Sequence, residues 1–356
     1  MSRVLVTGAG GFIGRHTLAP LLAADYEVHA VTSRPLAGGV PAELAASSPL
    51  GAPDDALREL SSEVRWHRAD LLAPGAAGAL MWEVRPSHLL HLAWYTQPGA
   101  FGTAIENLDW VQASLGLLRA FGECEGRRAV LAGTCWEYAW EDRTHCLEES
   151  PLSVGGSAEG MSATNAPRAH SPTPMRPATL YGAAKHSLHL VAERWAEQAG
   201  VSLAWGRIFY VYGPHEHPAR LASGVARALV RGEEVPCTHG RQVRDYLCTP
   251  ELGGAFAALL ASEVTGPVNM ASGEPVRVAD LVSAIAAAAG RPELVRLGAL
   301  PQRAGEPERL TADVRRLREE VGWSPSIGLV EGAARTVSWW HETLAAEAVP
   351  ALEATR

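Results

Sequence analysis

Three features are scarce or missing in this sequence: paired cysteines, an excess of basic charge and long hydrophobic runs. The five cysteines are odd in number and lack the paired spacing of a zinc site, which favours reduced thiols in a cytoplasm over disulfides or a metal centre. The net charge of −8 offers no basic surface for nucleic acid. No apolar run is long enough to cross a membrane, and the chain enters its first predicted strand at once, which leaves no room for a signal peptide. We therefore expect a cytoplasmic protein with no metal, nucleic-acid or membrane partner.

What is present is typical of a globular protein. Apolar residues make up 47% and charged residues 20% of the 356 positions, which is an ordinary balance for a folded, water-exposed chain. The length allows a sizeable core and two or three domains.

The stretch from Arg3 to Arg34 predicts a dinucleotide site. An apolar run at Val4 to Val6 is followed by Gly8, Gly11 and Gly14, then by a helical pattern and a second apolar run. Strand, glycine turn, helix and strand form the unit that cradles a pyrophosphate, because glycine lets the backbone approach it and the helix start offers free N–H groups. Glycine-rich turns alone are a weak signal, and the two flanking strands strengthen the prediction.

The chain then alternates between strand and helix signals. Further strands are predicted at 64–67, 88–92 and 129–133, and a helix at 104–124. Repeated units of this length predict an α/β fold, a Rossmann doubly wound parallel sheet covered on both faces.

The second half of the sequence is less regular. Residues 151–177 are rich in Gly, Ser, Ala and Pro, and we interpret this loop insertion as either a lid over the substrate or a segment without function. Helices are predicted near 181–198, 221–231, 253–260 and 278–289, with a strand at 203–208 and brief strands near 246 and 268. We divide the chain into an NAD(P)-binding Rossmann domain (1–210) and a smaller α/β substrate-binding domain (211–356).

Three residues could form an acid/base centre. Tyr181 and Lys185 are four residues apart at the start of a predicted helix and so share one face. Thr134 ends a predicted strand, at the edge where open parallel sheets bind ligands. An ammonium group near a phenol should lower the tyrosine pKa toward neutrality. The alternative is a surface Tyr/Lys pair without a catalytic role.

A set of short motifs occurs in a characteristic order: TGAGGFIG, HLAW, Asn107, Thr134, YGAAK, YGP, RDY and GW-S-P. Together they resemble the extended short-chain dehydrogenase/reductase family, in its NAD(P)-dependent nucleotide-sugar epimerase, dehydratase and ketoreductase branch. The resemblance covers nearly the whole chain. It implies a Rossmann domain for the cofactor and a C-terminal domain for a nucleoside diphosphate sugar.

The resemblance also implies residue roles. Tyr181 would be the catalytic acid/base, Thr134 would bind the sugar oxygen at the reacting carbon, and Lys185 would bind the nicotinamide ribose and tune Tyr181. Asp70 would contact adenine, and Arg244 and Arg303 would hold the diphosphate or nucleotide, with surface salt bridges as the alternative for both arginines. The remaining cofactor-binding positions are Gly8, Gly11, Phe12, Ile13, Gly14, Ser33, Arg34, Leu71, Leu92, Ala93, Trp94 and Asn107, and the remaining substrate-binding positions are Cys135, Trp136 and Tyr210.

Departures from the family pattern narrow the reaction. The dehydratases have an Asp-Glu pair after the catalytic threonine, and this chain has Cys135 and Trp136 there. We therefore do not expect a 4,6-dehydratase. Cys135 is interpreted as a core thiol, with a base for epimerisation as the alternative. Tyr210 replaces the family's usual asparagine before the YGP segment and should reshape the sugar pocket.

The end of the second strand bears on the cofactor. An acidic residue there would bind the adenine ribose and repel a 2′-phosphate. The chain has Thr32, Ser33 and Arg34 instead, two hydroxyls and a cation that suit a phosphate. NADP is favoured, with NAD as the alternative if Arg34 points into solvent.

These observations lead to one main hypothesis and two alternatives. The main hypothesis is NADPH-dependent reduction of a nucleoside diphosphate 4-keto-6-deoxyhexose in deoxysugar biosynthesis. The first alternative is a nucleotide-sugar 4-epimerase with tightly bound NAD. The second is a non-catalytic dinucleotide-sensing protein, against which the intact Thr134, Tyr181 and Lys185 set argues. A homodimer is left open.

Overall fold

The computed structural model describes residues 2–37, 40–41, 63–140, 145–148, 173–302 and 305–353. Its helices are α1 Leu18–Ala23, α2 Ala76–Val84, α3 Glu106–Glu123, α4 Leu180–Ala199, α5 Leu221–Val230, α6 Thr249–Ala261, α7 Val278–Ala288 and α8 Leu329–Glu353. Its strands are β1 Ser2–Thr7, β2 Tyr26–Thr32, β3 Leu36–Ala37, β4 Val40–Pro41, β5 Arg65–Arg68, β6 His88–His91, β7 Arg128–Thr134, β8 His145–Cys146, β9 Ser202–Ile208, β10 Tyr210–Tyr212, β11 Val235–Pro236, β12 Val243–Cys248, β13 Gly266–Met270, β14 Pro275–Arg277, β15 Val295–Arg296 and β16 Arg309–Ala312.

A seven-stranded sheet forms the larger part of the molecule. Its strand order is β13-β9-β7-β6-β1-β2-β5, and every neighbouring pair is parallel. The order reverses direction at β1, so the chain leaves β1 toward β2 on one side and later returns to β6 on the other. This is the doubly wound Rossmann arrangement, and it opens a crevice at the carboxyl ends of β1 and β6. The predicted fold class is confirmed.

The sheet is buried on both faces because its central strands are apolar at nearly every position. Val4 and Val6 face one hydrophobic cluster, which includes Phe256 of α6, while Leu5 between them faces the other, which includes Leu117 of α3 and Leu188 of α4. Alternate side chains of a strand point to opposite faces. The continuous apolar runs in the sequence therefore become a two-sided core.

A second, smaller sheet has the order β10-β12-β16-β8, with β14 pairing β12. Helices α5, α7 and α8 pack together beside it around Leu229, Ile285 and Trp340. The proposed division at residue 210 stays a prediction. Strand β13, at 266–270, pairs with β9 in the first sheet, so the chain crosses between the two sheets more than once.

Most of the predicted elements lie within a few residues of the observed ones. The short strands β3, β4, β8, β10, β11, β14, β15 and β16 were not predicted, and the helices differ in two respects. The predicted helix after the glycine turn is a 3-10 turn at Gly14–Thr17 followed by the short α1. Helices α2 and α8 were not predicted. The predicted 151–177 insertion lies outside the described residues up to position 172. In the part of the chain that the structure describes, no helix has both the length and the apolar character that crossing a membrane requires.

Candidate active site

The glycine turn after β1 closes tightly against the end of β6. Gly8 has φ of +72°, and a Cβ there would lie 2.8 Å from the backbone nitrogen of Ala93. A Cβ on Gly14 would lie 2.1 Å from the carbonyl oxygen of Gly8. Only glycine fits at these two positions, so the turn presents bare backbone at the crevice between β1 and β6. This cradle is suited to a dinucleotide pyrophosphate.

A series of hydrogen bonds between buried polar side chains holds the end of β1, just before this turn. No sequence motif predicted it. Thr7 Oγ1 lies 2.6 Å from His91 Nδ1, and His91 Nε2 lies 2.8 Å from Ser114 Oγ. Burial, helped by the Lys185 charge, lowers the pKa of His91 to about 3. The ring is therefore neutral at physiological pH and serves as a hydrogen-bond link between β1, β6 and α3.

Strand β7 and helix α4 bring the three predicted catalytic residues together. The Thr134 side chain lies close enough to the Tyr181 hydroxyl to act on it and lower the pKa of the phenol. One turn along α4, Lys185 Nζ donates to the backbone oxygen of Ala132 in β7 at 2.8 Å. The start of α4 is fixed by the Thr179 hydroxyl, which accepts a hydrogen bond from the Gly182 N–H. The alternative of a surface Tyr/Lys pair does not fit this geometry, because the Lys185 side chain is buried.

The expected lowering of the Tyr181 pKa is not what the structure shows. Desolvation raises the pKa of this phenol, and the Thr134 side chain and the charge of Arg220 oppose that rise only in part. Burial lowers the pKa of Lys185 to about 7, with the Glu137 charge acting in the opposite direction. The lysine ammonium lies 3.6 Å from the centre of the Trp94 ring. The sequence indicates the charge on Lys185 but not the burial of both groups, and burial is the largest influence on both pKa values.

A cluster of aromatic rings packs around Tyr181. The ring of Phe101 lies 5.0 Å from that of Tyr181 and 5.3 Å from that of Trp136, and Trp140 packs 5.0 Å from Trp136. The guanidinium of Arg220 lies 5.0 Å over the Phe101 ring. Of these residues only Tyr181 and Trp136 were predicted as site residues. Phe101, Trp140 and Arg220 come from separate loops and no motif marks them.

Two of the other predicted substrate residues, Cys135 and Arg244, are buried inside the protein. Cys135 is buried, and desolvation raises the pKa of its thiol well above the ordinary value, which supports the core-thiol interpretation over a base. Arg244 is buried, forms a 3.0 Å ion pair with Glu306, and its guanidinium lies 5.4 Å over the Tyr210 ring. Arg303 lies outside the described residues.

The predicted adenosine contacts are placed around the ends of β2 and β5. Ser33 and Arg34 are exposed, and the Arg34 N–H donates to Thr32 Oγ1 at 3.1 Å. Asp70 is exposed and its Oδ1 accepts the N–H of Leu72, while Leu71 is buried. The other predicted cofactor positions follow β1 and β6 in the chain, and their contacts with a cofactor stay predictions: Phe12, Ile13 and Leu92.

Asn107 has its side chain occupied inside the protein. Its Oδ1 accepts the indole N–H of Trp94 at 2.8 Å, and its amide nitrogen donates to the carbonyls of Phe101 and Ala104. The side chain thus ties the loop after β6 to the start of α3. A direct contact between Asn107 and the cofactor stays a prediction. In the structure, Asn107 positions the loop that carries Trp94.

One cluster has the composition of a metal site. Ligand atoms of Glu137, His186 and His189 lie within 4.8 Å of one another. Both oxygens of Glu137 already accept hydrogen bonds, one of them from the Arg207 guanidinium at 3.0 Å. A divalent cation would have to compete with that buried positive charge, so we assign no metal here.

A doubly wound sheet with a Thr/Tyr/Lys set at its carboxyl edge, beside a glycine cradle, defines an extended short-chain dehydrogenase/reductase. The sequence matches the profile of the NAD dependent epimerase/dehydratase family over residues 4–271. The chain belongs to this family. The predicted family, and with it the predicted class of enzyme, is confirmed.

Individual relatives are more distant. A probable UDP-glucuronate 4-epimerase of Rhizobium meliloti is 28% identical over 56% of this chain and 62% of its own. A dTDP-glucose 4,6-dehydratase of an Actinoplanes species is 23% identical over 95% of this chain and 98% of its own. The alignments with several other curated relatives span only 41% to 52% of those proteins' length.

Among solved structures, a UDP-glucose 4-epimerase of Thermus thermophilus in complex with NAD superposes with a TM-score of 0.69. It is 26% identical to this chain and covers 95% of it and 98% of that protein. The sequence and structural likenesses therefore both extend over nearly the whole chain.

Proposed function

We propose that the protein is a nicotinamide-dependent nucleotide-sugar 4-epimerase in which Tyr181 exchanges a proton with the 4-oxygen of the sugar. The observation that carries the proposal is the placement of the Tyr181 hydroxyl beside the Thr134 side chain, with the buried Lys185 one helical turn further along α4. An epimerase must remove a proton from one oxygen and later return it to the same oxygen. A phenol held against a second hydroxyl can do both.

The division of labour follows from the positions of these groups. A bound nicotinamide would supply the acceptor for the hydrogen on the sugar 4-carbon and would return it to the opposite face. Thr134 orients the sugar oxygen, Tyr181 takes up and returns its proton, and the Lys185 charge supports the phenolate. Because its pKa is about 7, Lys185 is present in both its charged and neutral forms near neutral pH.

Dehydration is disfavoured by the side chains next to Thr134. The thiol of Cys135 is buried with a raised pKa, and Trp136 presents an indole ring. Neither group can add and remove protons at sugar carbons as an Asp-Glu pair would. This separates the chain from its 4,6-dehydratase relatives, although one of them aligns over nearly its full length.

Two arginines are candidates for the charged part of a nucleoside diphosphate sugar. Arg244 is buried next to Tyr210, with its charge already balanced by Glu306. Arg220 lies over Phe101, and no carboxylate of the described residues is within ion-pair distance of it. We assign Arg220 the closer role toward the substrate anion, because Glu306 already balances the charge of Arg244 and a guanidinium can form charge-assisted hydrogen bonds to phosphate.

One observation favours the ketoreductase as a second candidate. Ser33 and Arg34 are exposed at the end of β2, with no acidic residue at that strand end. This arrangement supports a phosphate-bearing cofactor, and NADPH from a reduced pool suits net reduction. The epimerase is favoured over it because structures of 4-epimerases with NAD resemble the whole chain.

The balance of nicotinamide decides between the two reactions. The protein is incubated with UDP-glucose and with UDP-glucuronate, and in a separate arm with NADPH and a nucleoside diphosphate 4-keto-6-deoxyhexose. We expect NMR to detect the 4-epimer of a supplied sugar with no net change at the absorbance of reduced nicotinamide. Loss of NADPH equal to the alcohol formed would establish the reductase instead.

The cofactor itself is tested at Arg34. Replacing it with glutamate should weaken NADP binding roughly threefold to fivefold more than NAD binding, because an exposed charge interaction is worth about 1 kcal/mol or less. Calorimetry on the unmutated protein provides the reference. Tighter binding of NAD than of NADP there would remove the reason for a reductase.

A further inference from the structure

The carboxylate of Glu137 is buried next to the backbone of Thr134. Glu137 is the third residue after Thr134, in a 3-10 turn that follows β7, and it has no exposed surface. Its Oε1 accepts the backbone N–H of Thr134 at 2.8 Å. In return, the Thr134 hydroxyl accepts the N–H of Trp136 at 3.3 Å. This reciprocal capping box fixes the backbone from which the Thr134 side chain reaches Tyr181.

The same carboxylate is held from the neighbouring strand β9. The indole N–H of Trp205 donates to Oε1 at 3.0 Å, and the Arg207 Nε donates to Oε2 at 3.0 Å. Arg207 is itself fully buried and also donates to the hydroxyl of Tyr138 at 3.2 Å. A buried ion pair is tolerated only when additional hydrogen bonds satisfy both charges. Here the carboxylate has three donors.

The absence of a side chain at Gly133 leaves space for the Trp205 indole and the Glu137 carboxylate. A Cβ at that position would lie 2.0 Å from Trp205 Nε1 and 2.7 Å from Glu137 Oε1. Any larger residue would displace the indole and the carboxylate together. The strand end, the turn and β9 therefore form one fitted unit, with the charge of Glu137 at its centre.

Lys185 reaches the same stretch of β7: its ammonium donates to the Ala132 carbonyl at 2.8 Å, next to Gly133, where a Cβ would lie 2.7 Å from Glu137 Oε1. It is the single lysine of the chain, since 30 of the 31 basic residues are arginine. The titratable groups that act on Lys185 are His91 on β6 and Glu137 on the turn. Tyr181 and His189 lie one turn before and one turn after it on its own helix. His91 and His189 are neutral at physiological pH, because burial lowers the pKa of each to about 3.

Glu137 is therefore the negative charge that acts on the ammonium. It opposes the effect of burial on the Lys185 pKa. An arginine at position 185 would stay charged under all conditions, whereas a lysine can respond to its surroundings. A neighbouring carboxylate can then set the charge on this residue.

We propose that Glu137 is a positioning residue that acts through Thr134 and Lys185: it holds the threonine backbone in place and supplies the negative charge that favours the lysine ammonium. It does not touch the sugar. The inference rests on the proposed roles of Thr134, Tyr181 and Lys185, and it adds to them a buried Glu137–Arg207 ion pair that controls both partners of the tyrosine.

The single lysine allows a direct test that needs no turnover. Protein labelled with carbon-13 at the lysine ε-carbon gives one side-chain signal, whose titration reports the pKa of Lys185. Glu137→Gln preserves the shape and removes the charge. We expect the pKa of Lys185 to fall by roughly one pH unit, the lower end of what a nearby charge produces.

Substitution of Arg207, the ion-pair partner of Glu137, should shift the pKa of Lys185 in the opposite direction. Arg207→Gln leaves the carboxylate charge uncompensated, and the pKa of Lys185 should rise. Both variants disturb the same buried pair, so a loss of packing alone would not shift the lysine in opposite directions. Glu320→Gln is the matched control, because it removes the carboxylate partner of the buried Arg316 away from the site, and it should leave the titration unchanged.

Turnover provides the second measurement. For Glu137→Gln, kcat at pH 8 should fall about tenfold relative to the unmutated protein, with the difference shrinking below pH 6, as a shift of one pH unit requires. Equal Lys185 titrations in all variants, or shifts of the same sign in both pair variants, would overturn the inference. If the titrations shift as expected while no sugar is epimerised or reduced, the inference stands and the proposed function fails.

Discussion

The two regions proposed to bind the cofactor and the sugar are built differently. The proposed cofactor side is backbone: Gly8 and Gly14 carry no side chains, Gly8 lies against the segment after β6, and Gly14 lies against Gly8. The proposed sugar side consists of large side chains, the rings of Phe101 and Trp136 with the guanidinium of Arg220. The first side depends on the local spacing of glycines, and the second depends on loops brought together from distant parts of the chain. The cofactor side should therefore be sensitive to added atoms, and the sugar side to lost ones.

The largest effect on turnover is expected from a substitution of Tyr181 itself. Tyr181→Phe should lower turnover by roughly two to four orders of magnitude, the usual contribution of a positioned acid/base. Binding of the nucleotide sugar should survive, as measured by calorimetry. Tyr26→Phe is the control, because this buried tyrosine packs against His88 at the start of β6, and its turnover should be nearly normal. A Tyr181→Phe enzyme with normal turnover would remove the tyrosine from the mechanism.

The effect of removing a side-chain charge from the proposed sugar side is tested at Arg220. Arg220→Met keeps much of the side-chain length and removes the charge, so KM for the nucleotide sugar should rise about tenfold to a hundredfold, the worth of hydrogen bonds to charged groups. The value of kcat should change little. Arg227→Met is the matched control, because that guanidinium lies over the Trp340 ring in the second core. Equal KM values for the two variants would contradict the proposed contact.

An addition on the cofactor side is tested at Gly14. Gly14→Ala places a methyl group 2.1 Å from a backbone oxygen, and overpacking of this kind lowers the free energy of unfolding by about 1–3 kcal/mol. Dinucleotide affinity should fall with it, as measured by fluorescence titration. In Gly116→Ala of helix α3 the new atom meets nothing within 4 Å, and the substitution should stabilise the protein by roughly 0.5–1 kcal/mol. A well-folded Gly14→Ala protein with full dinucleotide affinity would refute the cradle.

The smallest effect compares two buried histidines, His91 on β6 and His189 on α4. His91 is hydrogen-bonded through both ring nitrogens, whereas neither ring nitrogen of His189 has a protein partner in the described part of the chain. Both have a pKa near 3. The unfolded chain takes up protons below about pH 6.5 and the folded chain does not, so the stability of the fold is full above that pH and falls as pH drops toward the folded-state pKa. Within that window each histidine contributes about 1.4 kcal/mol per pH unit.

His189→Phe should remove one of these contributions, because phenylalanine keeps the ring stacked on Trp205 and cannot be protonated. Urea unfolding at about pH 7 and about pH 5.5 measures the difference. The variant should be less acid-sensitive by about 1 kcal/mol over that interval, and an unchanged acid sensitivity would show that His189 does not titrate in this range.

Much of the fold could be predicted because its signals are local. The glycine spacing after Val6 and the apolar runs of the central strands each require one backbone geometry, whatever surrounds them. The helix around Tyr181 and Lys185 follows from the same local reasoning. Helix α8 was missed, as was the return of β13 to the first sheet, because the place of a strand in a sheet depends on partners far away in the sequence.

The sequence by itself determined the parallel sheet, the glycine cradle and the pairing of Tyr181 with Lys185 on one helix face, since these follow from spacing along one element. Only the tertiary structure decided the charges and the surroundings of those groups. The direction of the Tyr181 pKa, the role of Glu137 with Arg207 and the arrival of Arg220 beside Phe101 all depend on burial and on contacts between separate strands and loops. Electrostatic energies are set by the distance and the medium between groups, and no spacing within one segment specifies either.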